Sequence, residues 1–244
     1  MKQFVLAFPL SVSKEETLVF NDVVKIDAST EKLFVPGCGV EFNVKRLDAA
    51  EGVGELFQQN GEISSDELLG LNNHKSLLFF IGNVSGAEDV RQVNGAIAKV
   101  LNLIANDTSI ALGVYMQQSG SAWVKRSFME FLEDDSSPMD PWINFIQIKN
   151  TVYTLGLETF GLPDLCMDVG SVFPEGDDNE VELCRDVLNA TADYLYEDGI
   201  PAKSGTVVDD EMGHKYELRQ ELKSPFAKDD PEYNKQGMFR LLKK

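Results

Sequence analysis

Two segments of the chain share one order of predicted elements, and this order limits the fold more than any other feature of the sequence. Residues 77–115 and 165–208 each run from an apolar strand through a glycine-containing loop to an acidic helix start, an amphipathic helix and a second strand. Strands of this kind are buried by helices that pack on the sheet. The shared order is compatible with a decayed duplication of a strand-helix-strand unit, although α+β domains also contain it by chance.

The first of these segments begins with a continuous apolar run, Ser76–Ile81, of the kind that forms a buried strand. Gly82 and a helix start with acidic residues at 85–89 follow, and negative groups stabilise the N-terminus of a helix. Apolar residues then recur at steps of three and four, which predicts one face of a helix that ends near Asn106. These residues are Val90, Val93, Ile97, Val100, Leu101 and Ile104. A strand is predicted at 110–115.

Two further helices are predicted from the same kind of spacing. The first covers 121–132, with an apolar side formed by Trp123, Val124, Phe128, Phe131 and Leu132. The second opens at 176–180 and ends at Gly199, a residue that often terminates helices. Its apolar face is formed by Val181, Cys184, Leu188, Ala192 and Leu195.

Shorter alternating patterns predict the remaining strands. They are a first strand at 4–10, two strands and a turn within 32–44, a β-hairpin with its turn at Lys149-Asn150, a strand at 165–169 and a closing hairpin within 206–222. Residues 47–74 are polar, and we expect a short helix and loops there. Residues 224–244 are charged and lack regular apolar spacing, so we expect a tail that lies on the surface or is partly disordered.

These elements predict an α+β fold in which a mixed, mainly antiparallel sheet packs against two or three helices. The two similar segments suggest two related strand-helix-strand halves. A chain of 244 residues with 43% apolar residues can bury a substantial core. We therefore expect a single domain over 1–223, followed by the charged C-terminal tail over 224–244.

Acidic residues outnumber basic residues by 40 to 22, which gives a formal net charge of −18. The segment 150–202 contains 12 acidic residues and one basic residue, Arg185, so it supplies −11 of that charge. Such a surface repels phosphate backbones, which predicts no binding to nucleic acid, and it attracts basic protein surfaces. The alternative is that the acidic residues only keep the protein soluble.

The metal-binding residue types do not form a recognisable site. The cysteines Cys38, Cys166 and Cys184 are odd in number and lack CxxC spacing, and the two histidines, His74 and His214, fit no zinc-binding pattern. We therefore expect free thiols, a reducing compartment and neither metal nor cofactor. A signal peptide and an apolar stretch of about 20 residues are also missing, so we expect a cytoplasmic protein without a membrane span.

The acidic helix start contains the candidate partner-binding residues Asp177, Asp178, Glu180 and Glu182. Carboxylates can also bind calcium, but the order of ligands in an EF-hand loop is missing. Stabilisation of a helix N-terminus explains the same residues without any partner. A patch that faces a basic partner is the functional hypothesis.

Candidate catalytic residues are few, since the sequence contains no GxSxG elbow and no glycine-rich phosphate loop. Glu158 follows an apolar strand and, if buried, could act as an acid or base; an exposed carboxylate at a hairpin end is the alternative. His74 precedes a buried strand, and it could either satisfy a backbone group or act in catalysis. His214 lies in a turn-like run that we expect to be solvated. Cys38 lies in a Pro-Gly-Cys-Gly turn, and its thiol could be either reactive or inert. Cys184 is predicted to be structural.

Three stretches of the chain form longer motifs. They are Asn-His-Lys-Ser-Leu-Leu-Phe-Phe at 73–80, Ala-Leu-Gly-Val-Tyr at 111–115 and Tyr-Thr-Leu-Gly-Leu-Glu-Thr-Phe-Gly-Leu-Pro-Asp-Leu at 153–165. Together they resemble the successive landmarks of the bacterial domain of unknown function 4261 family, over about residues 73–222, and the last motif is the most specific. Many members of that family have Trp after Gly-Val-Tyr, where this chain has Met116. The resemblance implies no catalytic residue, and the family's association with secretion and toxin neighbourhoods implies an immunity or accessory role.

We predict a noncatalytic, acidic protein-binding module, with an immunity-type inhibitor of a basic toxin as its most specific form. A hydrolase-like enzyme that uses Glu158, His74 or Cys38 is the alternative from a different class, and a scaffold protein is a third. The first two hypotheses differ in whether those three side chains converge within hydrogen-bond reach around a concave pocket.

Overall fold

The computed structural model describes residues 2–20, 24–35, 37, 39–84, 87–105, 110–133, 139–171, 179–197, 203–209, 213–230 and 232–244. The chain divides into two compact units, Met1–Pro141 and Trp142–Lys244, where the sequence predicted a single domain over 1–223. Each unit contains its own six-stranded sheet and its own helices. The predicted α+β fold is confirmed, with sheets that are mainly antiparallel.

The described residues of the first unit form an antiparallel sheet, a separate two-stranded ribbon and four α-helices. Its strands are β1 (Lys2–Leu10), β2 (Leu18–Phe20), β3 (Val24–Ile26), β4 (Lys32–Val35), β5 (Val40–Asp48), β6 (Ser76–Val84), β7 (Gly113–Met116) and β8 (Ser121–Val124). Its helices are α1 (Val53–Gln58), α2 (Ser65–Asn72), α3 (Ala87–Ala105) and α4 (Lys125–Glu133). The sheet has the order β4-β5-β6-β1-β7-β8, and β2 pairs with β3 in the ribbon.

Aromatic side chains on the central strands form the core of this unit. Phe42 of β5 stacks on Phe80 of β6 with ring centroids 5.1 Å apart, and Phe8 of β1 approaches Phe80 at the same distance. The apolar face predicted for α3 is buried at Val90, Val93, Ile97, Val100 and Leu101. The sequence period therefore identified this helix and the side that packs inward.

The helix predicted at 121–132 is wrong in its first four residues. Ser121–Val124 forms strand β8, which pairs with β7, and α4 begins only at Lys125. Gly120 adopts a positive φ of 71°, so the chain reverses directly before β8. Trp123 still packs against Phe128 and Phe131, with centroid distances of 6.4 and 5.6 Å. A strand and a helix together thus form the apolar side that the sequence assigned to one helix.

In the described residues of the second unit, a mixed sheet is accompanied by one long helix. Its strands are β9 (Asn144–Ile148), β10 (Thr151–Leu155), β11 (Asp164–Asp168), β12 (Val207–Asp209), β13 (Lys215–Glu221) and β14 (Met238–Lys243). Its α-helix is α5 (Glu180–Glu197), and short 3-10 helices lie at Leu157–Phe160 and Val169–Ser171, with a third, Asp140–Trp142, at the division between the units. The strand order is β12-β13-β14-β11-β10-β9, and β11 and β14 are parallel, whereas the other neighbours are antiparallel.

The predicted C-terminal tail differs most from the structure. Residues 238–243 form β14, which lies between β13 and β11 in the middle of the second sheet. Met238, Phe239 and Leu241 are buried there. This run is only six residues long and follows a charged stretch, so its local composition resembles that of a surface segment. Its burial depends on partners that lie far away in the chain.

The two units share an order of elements but not one topology. In each unit, three consecutive antiparallel strands are followed by a long helix and then by two further strands. The strand beside this three-stranded group comes from a chain end, β1 in the first unit and β14 in the second. In the first unit, the next strand is β7, which directly follows the long helix α3 in the chain. In the second unit, the strand that directly follows the long helix α5 is β12, but it lies at the edge, and β13 lies next to β14. The suggested relation between halves therefore extends to the element order alone.

Candidate functional site

The most specific motif of the sequence folds into a compact loop between β10 and β11. Gly156 and Gly161 have positive φ angles of 102° and 75°, and they flank the 3-10 helix Leu157–Phe160. The N–H of Leu162 donates to the carbonyl oxygen of Leu157 at 3.2 Å, which closes the loop. Glycine tolerates these left-handed conformations, so its presence at both ends explains part of the motif.

The carboxyl group of Asp164, the first residue of β11, faces this loop. Asp164 is only 2% exposed. The hydroxyl of Thr154 lies 3.4 Å from Oδ1, and the side-chain amide of Asn234 and the backbone N–H of Leu157 also face the carboxyl group. The N–H of Asp164 donates to the carbonyl oxygen of Gly237 at 3.1 Å. Residues separated by more than 70 positions therefore meet at one buried carboxyl group.

Asn234 links this cluster to the segment that leads into β14. Its amide nitrogen donates to the carbonyl oxygen of Leu162 at 3.0 Å, and its Oδ1 accepts from the N–H of Gln236 at 2.8 Å. Gly237 completes the turn with a φ of 92° and donates its N–H to the carbonyl oxygen of Asn234. Asn234 thus shapes its own turn and binds the 157–162 loop at the same time.

Burial raises the pKa of Asp164 to about 7, because an ionised carboxylate loses its hydration in the interior. The hydrogen bonds from Asn234, Leu157 and Thr154 favour the charged form and partly offset this effect. The neighbouring carboxylate of Glu158 raises the pKa further, since two like charges repel each other.

A carboxyl group that exchanges its proton near neutral pH has the property required of a general acid or base. A catalytic group must also reach its substrate, and Asp164 is buried, with Thr154, Asn234 and the N–H of Leu157 around its carboxyl group. The arrangement is therefore best suited to fixing the loop, β10 and the 234–237 turn to one another. Sequence reasoning missed Asp164, because a single carboxylate at the start of a strand carries no pattern of its own.

Glu158 lies in the 3-10 helix rather than at the end of a strand, because β10 already ends at Leu155. It is half-buried beside Asp164. His214 is half-buried and directly precedes β13. Cys38, another candidate catalytic residue, lies outside the described residues.

His74 satisfies backbone groups, as the sequence predicted. Its Nδ1 lies 2.7 Å from the carbonyl oxygen of Leu71, and its Nε2 accepts a hydrogen bond from the N–H of Ala50 at 3.2 Å. These partners require the neutral tautomer with the proton on Nδ1. Both ring nitrogens are thereby occupied by backbone groups of the first unit.

The acidic partner-binding candidates are only partly described. Asp177 and Asp178 lie outside the described residues, whereas Glu180 and Glu182 lie in the first turn of α5. Glu180 is half-buried, and Glu182 is exposed and forms an ion pair with Arg185, with 3.2 Å between Oε2 and Nη1. Two of the four candidates therefore lie at the helix N-terminus, where negative charge stabilises the helix.

The two sides of α5 differ sharply in character. Its inner side is buried and is formed by Cys184, Val187, Leu188, Thr191, Ala192 and Leu195. Four residues of the predicted face are among them, whereas the fifth, Val181, is half-buried. Its outer side is exposed at Glu182, Asp186, Tyr194 and Glu197. The acidic residues 182, 186 and 197 are separated by four and eleven positions, which are close to whole numbers of helical turns. They therefore lie along one stripe of the helix. We refer to these four exposed residues as the outer face of α5.

The described cysteines are free thiols in the interior. Cys166 and Cys184 are both fully buried, and burial raises their pKa values to about 12 and about 11. Thiolate formation is therefore strongly disfavoured, which makes both groups poor nucleophiles. Cys184 is structural, as its position on the apolar helix face predicted.

A second charged cluster lies at the other end of β11. The guanidinium group of Arg240 binds Asp168 through Nη1 and Glu221 through Nε, and the hydroxyl of Thr151 also donates to Asp168. The hydrogen bond from Arg240 holds the pKa of Glu221 below its usual value. These residues join β10, β11, β13 and β14, and none of them forms a recognisable motif in the sequence.

Within the described ranges, no group of three or more His, Cys, Asp and Glu side chains could hold a metal ion. The helices of the described part of the chain include none that is both long and apolar enough to cross a bilayer.

No protein-family model, curated protein or solved structure matches this chain. The resemblance to the domain of unknown function 4261 family therefore stays a prediction. Its most specific motif coincides with the loop around Asp164, which the structure explains as a folding element.

Proposed function

We propose that this protein is a noncatalytic, acidic protein-binding module that docks a basic surface of its partner through the outer face of α5. The observation that carries the proposal is the contrast between the two sides of this helix. Its inner side is buried in the second unit, and its outer side is exposed at three acidic residues and one tyrosine.

A buried inner side holds the acidic groups on a fixed helical frame. Binding to these groups therefore costs less conformational entropy than binding to a disordered acidic segment, which would have to become ordered. Tyr194, with 40% of its surface exposed, adds an apolar ring with a polar tip to the same face. Tyrosine is common among the residues that dominate binding energy, whereas peripheral charges mainly accelerate encounter.

The charge of the surrounding segment favours a basic partner. Residues 150–202 carry 12 acidic residues and the single base Arg185, so their field attracts positive surfaces over about a Debye length. The most specific form of the proposal is an immunity-type inhibitor that covers a basic toxin. Two grounds support this form: the negative charge of the surface and the role that the family resemblance implies.

A hydrolase-like enzyme is the second candidate, and the adjacent carboxyl groups of Asp164 and Glu158 favour it. A pair of carboxyl groups with one raised pKa is a common acid-base arrangement. Asp164 is buried, however, and donors of the chain itself occupy its surroundings. We therefore rank binding above hydrolysis.

The proposal is tested by affinity capture with mass spectrometry, followed by binding kinetics with the captured partner across a salt series. One variant neutralises the three acidic residues of the outer face and Glu180 of the same helix, and it carries Glu180→Gln, Glu182→Gln, Asp186→Asn and Glu197→Gln. The matched control neutralises four exposed acidic residues of the first unit and carries Glu51→Gln, Glu55→Gln, Glu62→Gln and Asp66→Asn. Both variants change the net charge by four, and both alter the first turn of a helix.

We expect the first variant to associate more slowly than the control, with the difference vanishing at high salt, because screening removes electrostatic steering. The dissociation rate should change less. An association rate equal to that of the wild type at low salt would mean that these residues only solubilise the protein. The proposal would then lose its main support.

A further inference from the structure

The cluster around Asp164 joins two segments that are distant in the sequence, the 156–164 loop and the 234–237 turn. We propose that they form a pH-controlled clasp, in which protonated Asp164 holds the turn against the loop and ionised Asp164 releases it. The clasp belongs to the second unit alone and does not depend on the proposed partner.

Direct hydrogen bonds connect the two segments. The N–H of Asp164 donates to the carbonyl oxygen of Gly237 at 3.1 Å, and the amide of Asn234 donates to the carbonyl oxygen of Leu162 at 3.0 Å. The same amide faces the carboxyl group of Asp164, so one side chain of the turn contacts the loop at two points. A change at this carboxyl group therefore acts directly on the contact between the segments.

The charge of ionised Asp164 has no cationic partner among the described residues. None of the ion pairs among the residues that the structure describes includes it, and Arg240 of β14 is bound instead to Asp168 and Glu221. An ionised carboxylate without a cation is unfavourable in a buried site. Ionisation therefore favours any movement that brings water to Asp164.

The titratable groups that face Asp164 cannot supply positive charge. They are the carboxyl group of Glu158 in the 3-10 helix and the thiol of Cys166 in β11. The other two facing side chains, Thr154 of β10 and Asn234 of the turn, are uncharged. Of the two titratable neighbours, Glu158 acts against the charged form of Asp164, because its own negative charge raises the pKa of Asp164.

The 234–237 turn lies beside a short stretch of strand pairing. The parallel pairing of β14 with β11 spans only the register from Asp164–Met238 to Cys166–Arg240, and it starts at the clasp. On its other side β14 pairs with β13 along its whole length, from Met238 to Lys243. Opening of the 234–237 turn therefore admits water to Asp164 without dismantling the ladder between β13 and β14.

The direction of the pH effect follows from the raised pKa. In the closed form the pKa of Asp164 is about 7, whereas a hydrated Asp has a pKa of about 4. The closed form is therefore stabilised by its proton below about pH 4, and this stabilisation is lost as the pH rises through about 7. Between pH 5.5 and 8.5 the ratio of open to closed molecules should rise about thirtyfold.

Amide hydrogen exchange of the full chain, followed by NMR, measures this opening. The reporters are the N–H groups of Asp164 and Gly237, which are bonded within the clasp. The controls are the N–H groups of Val44 and Leu112, which are bonded to backbone carbonyl oxygens in the first unit. Each rate is divided by the intrinsic exchange rate at the same pH. We expect the protection of the reporters to fall about thirtyfold from pH 5.5 to 8.5 and that of the controls to stay constant within about threefold.

Three variants identify the group that titrates. Asp164→Asn should abolish the fall in protection, and Glu158→Gln should lower its midpoint, because the charge that raises the pKa of Asp164 is removed. Asp168→Asn removes a carboxylate of the same strand that is paired with Arg240, and it should leave the fall in place.

The proposal is overturned if the reporters follow the controls in the wild type, or if Asp164→Asn retains the fall. Should Asp164→Asn fail to fold, the NMR chemical shift of the Asp164 carboxyl carbon in the wild type decides the question. A carboxyl shift that does not change with the same midpoint as the protection would then exclude Asp164 as the titrating group.

Discussion

Met238 lies opposite Asp164 where β14 begins its parallel pairing with β11. The last strand of the chain therefore enters the sheet beside the residues of the most specific sequence motif. This relationship makes the C-terminal segment a part of the core of the second unit rather than an appendage.

Removal of residues 238–244 should prevent the second unit from folding. Met238, Phe239 and Leu241 are buried, and the loss of each large apolar side chain costs about 2–5 kcal/mol, so together they match the whole stability of a typical domain. Removal of Lys244 alone should cost little, because its side chain is half-exposed. Chemical denaturation followed by circular dichroism compares the two truncations. A cooperative transition of normal amplitude in the longer truncation would contradict the central role of β14.

The fold was predictable where a local pattern specifies its own structure. The period of α3, the apolar run of β6 and the two-residue turn of the β9-β10 hairpin are all visible in the sequence. Lys149 in that turn has the positive φ of 57° that such turns require. The pattern failed at 121–132, because Trp123 and Val124 suit a strand as well as a helix. It also failed at 238–243, where only distant partners determine burial.

The candidate site was less accessible to sequence reasoning. Glu158 and His74 drew attention by their chemical type, but the structure shows His74 bound to backbone groups and places Glu158 beside a carboxyl group that carried no signal of its own. Asp164 depends on Asn234, 70 positions away, and no local pattern connects two such residues. The one available hint was the pair of glycines at 156 and 161, which marked a loop of unusual geometry.

The orientation of α5 predicts different effects of two alanine substitutions. Leu188 is fully buried, so Leu188→Ala should lower the free energy of unfolding by about 2–5 kcal/mol. Glu182 is exposed and forms a surface ion pair with Arg185, so Glu182→Ala should change it by less than about 1 kcal/mol. Urea denaturation of both variants measures the difference. Equal effects would mean that the helix faces the sheet with another side.

Gly113 is predicted to tolerate no larger residue. A Cβ atom at this position would lie 2.6 Å from the carbonyl oxygen of Trp123 and 2.6 Å from the ring of Phe57. Gly113→Ala should therefore destabilise the protein by about 1–3 kcal/mol, since a strand backbone cannot move aside easily. Gly70→Ala in α2 is the control: the nearest atom, in Leu112, is 3.6 Å away, so the change should be neutral or stabilising by up to about 1 kcal/mol. A melting temperature for Gly113→Ala that is not below that of Gly70→Ala would contradict the packing at β7.

The two described cysteines should resist labelling in the folded protein. Cys166 and Cys184 are buried, and their raised pKa values of about 12 and about 11 keep them protonated at pH 8. We expect both to react with a thiol reagent at the rate at which the second unit unfolds, and to react rapidly in denaturant. Mass spectrometry of labelled peptides resolves the two sites. Rapid labelling of either site in native buffer would show that it is accessible.

The charge of Asp164 predicts a measurable pH dependence of global stability. Because the pKa is raised to about 7 in the folded state and is close to 4 in the unfolded state, the proton on Asp164 stabilises the fold fully below about pH 4. This contribution declines as the pH rises and is lost above about pH 7. Other carboxylates, such as Glu67 with a lowered pKa, act in the opposite direction and lose their contribution as the pH falls.

The wild type must therefore be compared with Asp164→Asn at each pH, so that the effects of the other carboxylates cancel. Asn keeps the shape of the protonated side chain but carries no titratable group. We expect the stability of Asp164→Asn, relative to the wild type, to rise by a few kcal/mol, about 1.4 per pKa unit, between pH 5 and 8. Guanidinium denaturation at a series of pH values measures this difference. A difference that is constant with pH would show that Asp164 keeps the same charge throughout this range, and the energetic basis of the clasp would then be absent.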